Sequence, residues 1–216
     1  MQHATQRIHE VTRRPSPAPR IQPIALHEGL LWMGSWETNH IYGVDPKSWT
    51  VKEDVAAPGQ PYGIAPLDDV LHVVVSLGGD DDDRYLFRFT PGRGFDANSQ
   101  TPCPDMTGSH LASDGKELFL GQMHNRRIVT LDAQTRITRE IPLPTRCGGF
   151  GFGPDGMLYM ISADEEFDNL ELATLDFAGK MNALAPIEFG ARSLAYDGSV
   201  WYTADREAGY VVSFTL

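Results

Sequence analysis

The 216-residue chain carries 29 acidic against 18 basic residues, a net charge of −11, and is 41% apolar with 21 glycines and 15 prolines. That acidity argues against a reader of nucleic-acid backbones, which concentrates Lys and Arg, and no run approaches the roughly 18 to 20 apolar residues of a membrane span. Two cysteines, Cys103 and Cys147, are too few for a disulfide framework, and they form no Cys-x-x-Cys motif.

The N-terminal stretch MQHATQRIHEVTRRPSPAP lacks the apolar core of a secretory signal, so a cytoplasmic protein is expected. Within it, Gln6–Arg14 reads as an outer β-strand, and RIQPIAL from Arg20 as an inner one. From there one unit recurs about every 40 residues. Each copy has a turn (Glu28-Gly29, Asp68-Asp69, Asp114-Gly115, Asp155-Gly156, Asp197-Gly198) followed by an apolar strand: LLWMGSW, VLHVVVS, ELFLGQM, MLYMISA and SVWYTAD. A polar loop and a third strand come next (HIYGVDP, YLFRFTP, RIVTLDA, LELATLD, YVVSFTL), and turn residues lead to a fourth.

This grammar predicts an all-β, five-bladed β-propeller of four-stranded antiparallel blades. One domain, 1–216, holds blades at approximately 20–57, 60–101, 106–142, 147–188 and 190–216 plus 6–14. The last copy ends after its third strand, so the N-terminal strand is expected to complete it and close the ring, leaving no open sheet edge. Complementary ends favour a monomer over an open half-ring that dimerises. In blade two, GRGFDANSQTPCPD is the longest insertion and predicts an irregular outer strand. The run Asp80–Asp83 lacks the alternate ligands and glycine of a calcium loop and reads as a solvated turn. The cysteines precede inner strands of consecutive blades, either as free thiols or as a pair.

In a propeller the strand-two-to-three loops and the links between blades share one face. That face should gather Trp36, Glu37, Asn39 and His40, then Tyr62, His110, His124, Asn125 and Arg126. It should also gather Arg146, Asp164, Glu165, Asp168, Arg192, Asp205 and Arg206. Such convergence is a candidate small-molecule site, although propeller loops are polar in any case because they meet water. His110 stands in GSHLASDG where other blades carry small residues, read as Gly151 and Ser193, and could act as general base, metal ligand or simple channel filler. Arg192 suits an anionic group. Asp164 and Asp205 are candidate bases, ligands or turn formers. The catalytic candidates are therefore His110, Arg192, Asp205 and Asp164, and the substrate-binding candidates Tyr62, Trp36, Arg146, His124 and Glu37.

The segments NRRIVTLDAQTRITREIPLP and GFGPDGMLYMIS resemble the repeats of the streptogramin lyase group. LHEGLLW is similar to the EGPxW start of the regucalcin/gluconolactonase group. The first resemblance implies a ring-opening elimination assisted by a metal and a channel histidine, a part that His110 could take. The second implies a divalent metal held by a Glu, matched here by Glu28, with an Asn and an Asp. The corresponding segments GSHLASDG and ARSLAYDG offer His110 and Arg192 instead of that Asn and Asp. Five blades are also the count of plant and bacterial glutaminyl cyclases, whose FTQGL-like and EGTGL-like segments are absent. The expected function is a small-molecule binder or a lyase- or hydrolase-type enzyme using acid–base chemistry at the funnel, with Ca, Mg, Mn or Zn as candidate cofactor. The alternatives are a protein-interaction scaffold presenting Trp36, Tyr62 and Phe167, or a ring of repeated lectin-like sites, which the unequal loops argue against.

Overall fold

The computed structural model describes residues 6–78 and 83–216. Most of the Asp80–Asp83 run thus lies outside the described residues. Five antiparallel sheets are arranged in a ring. Blade I comprises β2 (Ile21–His27), β3 (Leu30–Ser35), β4 (His40–Asp45) and β5 (Thr50–Ala56). Blade II has β6 (Gln60–Leu67), β7 (Val70–Ser76) and β8 (Arg84–Thr90). Its outer edge is broken into β9 (Gly94–Phe95) and β10 (Thr101–Pro102), with a short 3-10 turn at Ala97–Ser99 where the insertion was read. Blade III is β11 (His110–Ser113), β12 (Leu118–Gln122), β13 (Arg127–Leu131) and β14 (Ile137–Pro142). Blade IV is β15 (Arg146–Phe152), β16 (Leu158–Ala163), β17 (Leu170–Leu175) and β18 (Met181–Ile187). Blade V contains β19 (Ala191–Tyr196), β20 (Trp201–Asp205) and β21 (Tyr210–Thr215), and β1 (His9–Pro15) is its outer strand.

Closure follows from that last pairing. β1 runs antiparallel to β21 from His9↔Thr215 to Pro15↔Tyr210. Arg13 sends Nη1 to the buried Asp205 at 2.8 Å, Thr12 and Ser213 share a hydroxyl contact at 2.7 Å, and the Trp49 indole donates to the Pro15 carbonyl at 2.8 Å. First and last segments are thereby joined, and the outer edge of β21 is paired.

Local chemistry makes the tight turns. Asp155 Oδ1 accepts from the Met157 amide at 3.1 Å while Gly156 takes φ +73°, a left-handed conformation cheap for glycine. Asp114 and Asp197 cap their own turns in the same manner.

Between blades, packing follows one rule. A small inner-strand residue pairs with a large strand-two residue: Ala25↔Trp32, Ala112↔Phe119, Gly151↔Tyr159 and Ala195↔Tyr202. The large ring then fills the space toward a neighbouring blade, as Trp32 does against Phe89 (5.2 Å between centroids) and Tyr159 against Trp201 (4.9 Å). Blade II departs from the rule, for Ala65 faces His72.

Inner strands approach so closely that some positions admit no side chain. A Cβ on Gly149 would lie 2.4 Å from the Ser193 backbone, and one on Gly63 would lie 2.8 Å from the Leu111 nitrogen. The pairing also corrects one alignment. His110↔Gly121 corresponds to Gly149↔Ile161, so Gly149 rather than Gly151 shares the slot of His110. Aligning the two Asp-Gly turns misplaces the slot by two residues, because Asp114 directly follows Ser113 whereas Asp155 lies three residues beyond Phe152. Ser193 does lie in the equivalent bulge of blade V.

Candidate functional site

The inner strands are bulged at the face that carries the strand-two-to-three loops. Register shifts fall at Ile21/Ile24, Pro61/Gly63, Cys147/Gly149 and Arg192/Ala195. A bulge re-aims the side chain it contains. Here these segments carry Gln22, Tyr62 and Arg192, while His110 opens β11 at the same level.

Around that ring, cations and aromatic faces alternate. Arg192 lies over Phe167 at 4.5 Å from the centroid. Arg206 lies over Trp36 at 4.5 Å, Trp36 packs on Tyr62 at 4.5 Å, and Arg84 lies over Tyr62 at 3.9 Å. Gln22 ties the two halves together. Its Oε1 accepts from Arg206 at 2.8 Å, and its Nε2 donates to the Tyr62 carbonyl at 3.3 Å. Cation–π contacts of this kind contribute about 0.5–2 kcal/mol.

Electrostatics separate the members. Arg206 shares Glu207 with Arg20. Arg192 donates to the Ala191 carbonyl at 2.8 Å, and no carboxylate among the described residues bonds to it. Burial, then the Arg206 charge, lowers its pKa to about 10, so it remains a cation at neutral pH. His110 is 6% exposed, and burial, followed by the charges of Arg192 and Arg206, pushes its pKa down to about 3. The imidazole is neutral, and its Nδ1 is buried without a hydrogen-bond partner among the described residues. The indole Nε1 of Trp36 is buried and unpartnered as well. A neutral imidazole offers one donor and one acceptor, but with a pKa near 3 it is a weak base as it stands.

Of the residues singled out from sequence, His110, Arg192, Trp36 and Tyr62 thus meet in one constellation. Arg146 lies in the inner strand of blade IV and binds Glu165 at 2.7 Å, and Glu165 also pairs with Arg126. Glu37 and His124 are exposed on their strand-two-to-three loops. Asp164 shapes its own loop, accepting from the Asp168 amide at 2.9 Å and the Asn169 amide at 3.2 Å, and the Asn169 side chain leads the contacts that lower its pKa. Asp205 is engaged with Arg13 in ring closure. Gln22 and Arg84 had no signal in the repeat pattern, because each is a single polar residue within or beside an apolar strand.

The described residues do not assemble a divalent-metal site. Glu28 is exposed on a two-residue turn at the opposite face, and among the described residues no three His, Cys, Asp or Glu side chains gather as ligands. Arginines dominate where the histidine lies, and like charge opposes a cation. Cys103 and Cys147 remain free thiols in two separate clusters of the core.

Fold and site together define a five-bladed β-propeller with arginines and aromatic rings clustered on one face. No protein-family model matches the chain, and no curated protein sequence does. Among solved structures it is similar to Myxococcus xanthus glutaminyl cyclase, at 10% identity over 96% of this chain and 95% of that one, with a TM-score of 0.73. It is also similar to catalytically inactive virginiamycin B lyase from Staphylococcus aureus with quinupristin (14% identity, 94% and 82% coverage, TM-score 0.57). A third is the PQQ-bound aldose sugar dehydrogenase of Streptomyces coelicolor (15%, 93% and 78%, TM-score 0.60). The streptogramin-lyase resemblance of the repeats is thus matched in three dimensions, and propellers of this kind include enzymes. At these identities the likeness is one of fold.

Proposed function

We propose that this protein binds a small molecule bearing a carboxylate or similar oxyanion beside Arg192 on the face that carries the strand-two-to-three loops. The carrying observation is Arg192, a largely buried guanidinium lying over Phe167, with no carboxylate bonded to it among the described residues. Buried cations are normally paired, and the guanidinium fork matches a carboxylate. The unpartnered Nδ1 of His110 and Nε1 of Trp36 supply further hydrogen-bonding capacity. Lyase- or hydrolase-type acid–base chemistry is the extension of this reading. An anion beside Arg192 and Arg206 cancels part of the field that keeps His110 deprotonated, and so raises its basicity.

The test is a melting-temperature screen against small carboxylates and phosphates, matched with their neutral amides and alcohols. Acids that raise Tm in the native protein but not in Arg192→Ala support the reading. Absence of any anion-dependent shift, or an undiminished shift in Arg192→Ala, overturns it. Near-complete mutual coverage with a glutaminyl cyclase motivates a second reading, cyclisation of an N-terminal glutamine. Incubation with a peptide carrying N-terminal glutamine, followed by mass spectrometry for loss of ammonia, tests it directly.

A further inference from the structure

The exception to the packing rule lies between blades II and III. Four blades oppose their small inner-strand residue with Trp32, Phe119, Tyr159 or Tyr202, whereas blade II supplies His72. An imidazole is smaller than any of those rings, and the core cluster joining blades II and III is built chiefly from Leu, Val and Ala, with Tyr62 packed at its margin. Where the ring is missing, a cavity of about 740 Å³ opens. That volume lies within the roughly 300–1,000 Å³ of small-molecule sites. Leu67, Leu86, Leu118 and Leu131 are among its walls.

His72 makes no hydrogen bond to any described residue, and its Nδ1 is buried and unpartnered. Burial, reinforced by Arg88 and opposed by Asp68, lowers its pKa, which keeps it neutral. The cavity also meets charges of both signs: Arg88 and Lys116 against Asp68, Glu117 and Asp132. Arg88 is itself paired with Asp96 at 2.9 Å. Such a lining does not select an ion. It suits a neutral molecule that buries an apolar body and offers one hydrogen bond to an imidazole.

We propose that the cavity between blades II and III is a binding site for a neutral, planar aromatic molecule. Its ring system occupies the space that an aromatic side chain fills in the other blades, and its N–H or O–H bonds to His72. This site lies on the flank of the ring, apart from the funnel, and stands independently of the function assigned there.

Indole and 1-methylindole make a matched pair of probes, since methylation removes the donor and leaves the ring system intact. Indole is expected to raise Tm of the native protein in a saturable manner and to bind at least about tenfold more tightly than 1-methylindole by calorimetry, the cost of one buried hydrogen bond. His72→Phe restores the aromatic slot and should raise the unliganded Tm and abolish the indole response. If that variant does not fold, Leu131→Trp fills the same cavity from blade III and should also remove it. Arg192→Ala, at the funnel, should leave indole binding unchanged. The proposal falls if indole has no effect on the native protein, if the methylated probe binds equally well, if filling the cavity leaves binding intact, or if Arg192→Ala removes it.

Discussion

Replacing Arg13 with alanine removes the one side chain among the described residues that pairs with Asp205, a carboxylate 7% exposed at the end of β20. Arg13 reaches it with Nη1 at 2.8 Å and also lies over Phe189 and Tyr210, at 5.1 and 5.7 Å from their centroids. Its Nε and Nη2 bind Glu10, which is 41% exposed. The Glu10 pair is solvated, and losing it costs at most about 1 kcal/mol. Asp205 is different, because stripping the partner from a buried charge costs about 3–5 kcal/mol. For a chain of this length each kcal/mol moves Tm by about 2–4 °C, so Arg13→Ala is expected to melt roughly 6–20 °C lower. Thermal unfolding followed by circular dichroism measures this. A double-mutant cycle with Asp205→Asn isolates the pair, and the double variant should recover part of the loss because no buried charge is left behind. The result that refutes the reasoning is a cost below about 1 kcal/mol, or strict additivity of the two single variants. The cycle also decides the role of Asp205. A structural carboxylate lowers Tm when it is neutralised, whereas a ligand-facing one changes binding and leaves Tm alone.

Two further outcomes follow from buried titratable groups. His110 binds its proton near pH 3 in the folded chain and near 6.5 when unfolded. Below pH 6.5 the unfolded state therefore takes up more protons, and stability falls as pH drops from about 6.5 toward 3, by up to about 1.4 kcal/mol per unit. His110→Gln should flatten that part of the acid-stability curve, and a native imidazole resonance that titrates near 6.5 and is lost in His110→Gln would contradict it. Burial raises the pKa of Cys103 and Cys147 alike to about 12. Both thiols should resist alkylation at pH 8 in the folded protein and react together on denaturation. Rapid labelling of either one in the native state would show that its blade opens locally.

Blade architecture was legible because its causes are local. An Asp-Gly turn such as Asp155-Gly156 is made by a side chain bonding to an amide two residues on, and alternation along β12 or β16 is a period-two property of the strand itself. Five repetitions of that unit, with the fourth strand of the last copy found at the N-terminus, define the ring from sequence alone. Tertiary structure decided what the polar residues do, because their partners are distant in the chain. Asp205 and Arg13 are 192 residues apart, and Arg206 and Gln22 are 184 apart. The repeat pattern put Asp205 and Arg192 on the same face, yet only closure of the ring makes Asp205 the partner of Arg13 and leaves Arg192 on Phe167 without a carboxylate among the described residues. The same holds for His72. In VLHVVVS it is one residue among valines, and its meaning emerges only when strand pairing sets it in the slot of Trp32, Phe119, Tyr159 and Tyr202. Asp155 lies two residues further from its inner strand than Asp114 does, which was enough to exchange Gly149 for Gly151 when the turns were aligned. Local pattern therefore sets the blades, and the contacts made when the ring closes set the site.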